Sequence, residues 1–142
     1  MIAVRVVLDA NLVVSAAINP TGLPRTVFVA CVTKPASLFV SEAILAEYTG
    51  VLARRELRIP RGLQQRFLQE IRSRAGLVRT IRQLRVALDL DDDKFLECAD
   101  AARADYLVTG NTRHFPKFWK CTKVVTPKEF VELLAPHLVA GF

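Results

Sequence analysis

The sequence predicts an α/β fold, a three-layer sandwich in which a mainly parallel central sheet is flanked by helices. Three observations carry this expectation. Strand-like and helix-like segments alternate throughout the chain, and parallel strands need crossover helices of that kind. The first segment, Ile2 to Leu8, is almost wholly β-branched or aliphatic, the pattern of a strand covered on both faces. That strand stops at Asp9, which puts a carboxylate at the strand's C-terminal end, the edge where open α/β sheets bind ligands.

The remaining elements follow in order. Asn11 to Ile18 reads as a short helix stopped by Asn19-Pro20-Thr21-Gly22, and a second helix is expected from Pro24 to Val32 with Leu23, Val27 and Cys31 inward. Ser37 to Val40 is a second buried strand. Ser41 can cap the next helix by accepting a hydrogen bond from a first-turn N–H, and that helix runs to about Arg54 with Ile44, Leu45, Tyr48, Val51 and Leu52 as its buried stripe. Glu47 falls at the edge of that stripe, a site that suits either a rim carboxylate reaching water or a functional one. After the break at Arg58–Gly62, Leu63, Phe67, Leu68 and Ile71 mark a fourth helix that Gly76 should end, followed by a short strand from Leu77 to Ile81. Gln83 to Leu90 has no clear pattern.

Asp93 to Arg103 is the next helix. Phe95, Cys98, Ala99 and Ala102 face inward, and at about 100° per residue Asp93, Glu97 and Asp100 share the other side. Tyr106 to Thr109 is a strand ending at the polar turn Gly110-Asn111-Thr112, and Lys123 to Val125 is the last strand. Thr126, Pro127 and Glu129 supply a cap, a first-position proline and a capping-box glutamate for a final helix with Phe130, Val131, Leu133 and Leu134 along its stripe.

With 142 residues, 51% hydrophobic and 24% charged, the composition is that of one globular domain over 1–142 and argues against disorder. The net charge is +6, and ten arginines lie between Arg54 and Arg85, opposed there only by Glu56 and Glu70. Such a run suits phosphates, although arginines at helical spacing also form plain solvated faces. Cys31, Cys98 and Cys121 are far apart and odd in number, so they are expected to be core thiols of a reducing cytosol rather than a disulfide or metal framework. The opening apolar run is too short to span a bilayer and lacks a cleavage pattern; a cytoplasmic protein with no membrane partner is expected.

The chemistry-bearing stretch is Asp91-Asp92-Asp93, three adjacent carboxylates opening a helix in a basic chain. Alone they can be a cap favoured by the helix dipole. Beside Asp9 and Glu47 they become a candidate site for a hard divalent ion, which takes carboxylate oxygens and leaves positions for water and phosphate. A calcium loop beginning at Asp89 is excluded because Lys94 stands where the bend needs glycine. A phosphatase with Asp9 as nucleophile lacks the second acid, since Asn11 stands two residues on. His114 and His137 have no ligand spacing for zinc.

Four stretches together are similar to the PIN domain family: Val7 to Ala16, Ser41 to Tyr48, Asp91 to Ala99 and Ala104 to Asn111, with the closing Val125 to Phe130 resembling the end of the VapC-type toxin subgroup. The resemblance covers nearly the whole chain. It implies a metal-dependent endoribonuclease with Asp9, Glu47 and Asp93 as ligands of Mg²⁺ or Mn²⁺, Asp92 as an alternative ligand, and Asn111 at a fourth position that is aspartate in many relatives. A neutral amide there should hold a second metal less tightly. Ser15 and Thr109 are candidates to orient ligands or touch phosphate, Arg25 and Arg113 to bind phosphate, and Phe118-Trp119 to stack on a base or simply to pack. The same resemblance implies an RNA substrate, an antitoxin protein partner and a homodimer. The competing expectation is a PIN-like scaffold that binds RNA or protein without cutting.

Overall fold

In a computed structural model of the chain, residues 3–80 and 92–140 are described, with the side chains of 135–140 left aside. Asp91, the unplaced Gln83–Leu90 connection and the end of the expected third strand lie outside the described residues.

The described strands are β1 (Val4–Leu8), β2 (Ala36–Val40), β3 (Gly76–Leu77), β4 (Tyr106–Val108), β5 (Phe118–Trp119) and β6 (Thr122–Val125). They form one sheet in the order β3-β2-β1-β4-β6-β5, with every pairing parallel except β5 with β6. The described helices are α1 (Ala10–Ile18), α2 (Leu23–Cys31), α3 (Glu42–Leu52), α4 (Arg61–Arg74), α5 (Asp93–Ala102) and α6 (Pro127–Ala140). The α/β architecture expected from the alternation is therefore present. Helix α5 packs on β1, β2 and β4, α2 on β2 and α6, and α3 bridges α1, α4 and α5. Val6, Val7 and Leu8 are fully buried, in keeping with a central strand whose residues see apolar neighbours on both faces.

The chain leaves β1 toward β2 on one side and returns to place β4 on the other, so the order reverses between β1 and β4. Such a reversal leaves a crevice outside the carboxyl ends of the two strands. Leu8 pairs with Val108, which brings the next residues, Asp9 and Thr109, side by side at that crevice.

Caps form as the residue types require. Ile44 N–H donates to Ser41 Oγ at 3.2 Å, and Thr126 and Glu129 exchange both capping-box bonds. Several details differ from expectation. Leu23 and Leu133 stay exposed, because α2 buries Val27, Phe28 and Cys31 and α6 buries Phe130 and Leu134 instead. Gly76 does not terminate α4 by a left-handed turn but opens β3, where a Cβ would stand 2.7 Å from the Phe39 ring. Phe118 and Trp119 form an edge strand joined to β6 by a two-residue turn with Lys120 at φ 54°. Cys31 and Cys98 are core thiols, with burial pushing Cys98 up to about 12, whereas Cys121 is exposed.

Candidate active site

A cleft of about 250 Å³ opens at the reversal point between β1 and β4. Its lining includes Asp9, Asn11, Glu47, Arg54, Asp92, Asn111 and His114, with Val51, Phe95 and Phe115 as apolar wall. Sequence-distant carboxylates thus reach one place: Asp9 ends β1 and Asp92 opens α5 at this sheet edge, and Glu47 reaches it from the middle of α3.

Asp9 is the most constrained of them. It caps α1, with Oδ1 accepting from Leu12 N–H at 2.9 Å, and Oδ2 accepts from the Thr109 hydroxyl. Thr109 is fully buried, and the same hydroxyl oxygen accepts the Asn111 N–H at 2.9 Å. One threonine therefore fixes the Asp9 carboxylate and the backbone of Asn111 together. Below, Tyr48 donates its hydroxyl to Leu8 O at 2.5 Å, tying α3 to the end of β1; burial pushes this phenol well above its ordinary range. Asp9 is only 5% exposed, and burial raises its carboxyl above the ordinary value against the lowering pull of Thr109 and Leu12, with nearby Asp92 adding to the rise.

Glu47 sits half-buried at the rim of the α3 stripe, as its spacing implied, and Oε1 accepts from Lys94 Nζ at 2.6 Å. Asp92 is the N-cap residue of α5 and lines the cleft, with Oδ2 3.4 Å from His114 Nδ1. Asp93 is 2% exposed and is not part of the lining, so it does not share a solvated acidic face with Glu97 and Asp100; the first turn of α5 turns it into the protein. Asp92 lines the cleft together with Asp9 and Glu47.

The remaining sequence candidates separate. Asn111 lines the cleft. Ser15 and Arg113 are exposed but outside the lining. Arg25 belongs to a different groove between α2 and α4, where its Nε donates to Ala16 O at 2.6 Å and its guanidinium lies over Phe67. Two cleft residues, and one that touches the cleft only through Glu47, were missed by sequence reasoning. Arg54 follows Glu47 and Val51 at helical spacing, a signal hidden by its place in the arginine run. His114 lies three residues past Asn111 in a single 3-10 turn, Thr112–His114, which nothing in the sequence announces. Lys94 reveals itself only through a partner 47 positions away.

A sequence profile described as PIN domain matches residues 5–113. The chain belongs to the PIN domain family. The uncharacterized protein MJ1680 of Methanocaldococcus jannaschii is 29% identical over 143 residues, an overlap covering 92% of each chain. PIN domains are generally nucleases, which supports a hydrolytic role for this member, and PIN nucleases typically use divalent metals. Among the described residues no group of three or more His, Cys, Asp and Glu is gathered tightly enough to cage an ion by protein alone. The cleft donors are nonetheless all of the right type for a hydrated hard cation, which binds through one or two carboxylates and keeps several waters. Among the described residues, no helix is long and apolar enough to cross a membrane.

Proposed function

We propose that this PIN domain is a Mg²⁺- or Mn²⁺-dependent endoribonuclease that hydrolyses RNA phosphodiester bonds in the cleft between β1 and β4. The observation that carries the proposal is the meeting of Asp9, Glu47, Asp92 and Asn111, from four separate elements, with Arg54 and His114 in one solvent-open cleft. Asp9 and Asp92 would hold the ion, with Glu47 and Asn111 as further oxygen donors and Asp93 as the alternative to its neighbour Asp92. When bound, such an ion lowers the pKa of water and neutralises charge on a scissile phosphate.

The chain's own side chains have separable tasks. Thr109 and Leu12 N–H hold both Asp9 oxygens in place, so the carboxylate needs no reorganisation on binding. Arg54 offers a planar fork of donors to phosphate oxygens, and His114 adds a donor beside Asp92. Phe95, Val51 and Phe115 exclude water from the cleft wall. Asn111 contributes a neutral oxygen where a carboxylate would give charge, which favours one tightly held ion over two.

The proposal extends to the toxin component of a type II pair, acting in the cytoplasm as a homodimer held in check by an antitoxin, on the strength of the motif resemblance. An adjacent short gene for a DNA-binding protein, and co-purification of its product, are the expected observations. A non-cleaving scaffold has one observation in its favour: Lys94 already occupies Glu47 Oε1. Titrating Mn²⁺ into the protein with a structured RNA separates the two readings. Cleavage that appears with metal, disappears with chelator and is lost in Asp9→Asn supports the nuclease; RNA bound but intact at saturating metal supports the scaffold.

A further inference from the structure

Lys94 occupies the second position of α5, directly after Asp92 and Asp93. A cation in a first helical turn faces the positive end of the helix dipole, so helix formation does not explain it. Its partner does. Nζ reaches across to Glu47 Oε1 on α3 at 2.6 Å, with Lys94 24% and Glu47 26% exposed, so the pair is largely shielded from water and weakly screened. Glu47 is at the same time part of the cleft lining, and only one of its two oxygens is engaged by the ammonium.

From this geometry we infer that Lys94 is a resident counter-cation beside the acidic cleft, which holds Glu47 in the metal-poor protein and sets the divalent ion concentration at which the site fills. The inference rests on the nuclease reading in that it takes the cleft to be a metal site. A divalent ion approaching Asp9 and Asp92 meets a fixed positive charge on the third carboxylate. It must either share Glu47 with Lys94 or displace it. Both routes oppose binding, so removing the charge should tighten the metal, while a purely structural bridge between α3 and α5 would leave affinity unchanged or weaken it by loosening Glu47. The consequence for the enzyme is a threshold: Lys94 keeps the cleft electrically satisfied when metal is scarce and yields when it is plentiful.

Calorimetric Mn²⁺ titration of the full chain in the absence of RNA tests this directly. Lys94→Gln is expected to bind Mn²⁺ about five- to tenfold more tightly than wild type, the scale of releasing Glu47 from one partly shielded ion pair so that its carboxylate serves the metal alone. Lys94→Arg, which keeps the charge, should stay within about twofold of wild type on the same grounds. In a Glu47→Gln background the Lys94→Gln gain should largely disappear, because the ammonium acts through that carboxylate. Lys94→Met, which keeps the aliphatic stem, serves if the glutamine variant does not fold. Unchanged or weaker Mn²⁺ binding in a folded Lys94→Gln or Lys94→Met protein overturns the inference and leaves the nuclease reading standing. A gain that persists undiminished without Glu47 overturns it as well. No Mn²⁺ binding by wild type or any variant overturns both.

Discussion

Asp9 is buried, hydrogen-bonded at both oxygens and raised in pKa chiefly by the loss of water around it. A carboxyl whose folded value lies above its unfolded value binds more protons in the native state, so it costs stability as pH rises from the ordinary value of 3.8 through the folded one. Asp9→Asn keeps an oxygen for the α1 cap and removes the buried charge. In chelator at pH 7 the variant should therefore melt at a higher temperature than wild type, with the gap closing below pH 3.8; Mn²⁺ should raise the melting point of wild type alone. Thr109→Val removes the donor to Asp9 and the acceptor for Asn111 N–H while keeping the side chain's shape. Loss of about 1–3 kcal/mol in urea unfolding is expected from the buried groups left unpaired, together with weaker Mn²⁺ binding. Asp9 was legible from the sequence because a carboxylate ending a buried strand is rare. Which of Asp92 and Asp93 lines the cleft was not, since a helix start inside three adjacent aspartates cannot be read to one residue and each step turns the side chain by about 100°.

Helix α3 carries Glu47 into the cleft, Tyr48 beneath Asp9 and, just past its end, Arg54 at the rim. Its direction depends on Ser41, whose hydroxyl caps the first turn. Ser41→Ala should cost about 1 kcal/mol in chemical unfolding, and any loss of activity should follow that destabilisation rather than metal affinity. At β3 the constraint is contact with Phe39: Gly76→Ala should destabilise by about 1–3 kcal/mol, as overpacking does. Element by element, the helices with both a cap and a stripe, α3 and α6, were legible in place and start, although α6 leaves Leu133 of its expected stripe exposed. The β5–β6 hairpin was hidden because its turn, Lys120-Cys121, has none of the glycine or asparagine that announces a two-residue loop. The Lys94–Glu47 bridge was hidden for another reason, being a tertiary contact between α5 and α3 that no local period encodes.

At the scale of the whole molecule, the parallel sheet does the gathering. Its order reversal between β1 and β4 brings Asp9 and Thr109 together across 100 positions of the chain, and the helices after β1, after β2 and before β4, with the turn after β4, deliver the other cleft groups to the same edge. Alternating segments and a buried first strand made that architecture readable, whereas the sheet order that decides which loops meet required the fold itself. The net charge of +6 predicts RNA binding that weakens steeply with salt. Arg54→Gln should reduce affinity and lower the log–log salt slope by roughly 0.7 on single-stranded RNA, without changing Mn²⁺ affinity in its absence. The most direct test of the cleft as a metal-dependent nuclease site is the single-turnover rate of RNA cleavage across a Mn²⁺ titration for wild type and Asp92→Asn. Metal-dependent cleavage by wild type, with a loss of about a hundredfold or more in the variant that excess Mn²⁺ only partly restores, is the expected result; an Asp92→Asn protein that keeps the wild-type rate and metal dependence would contradict it.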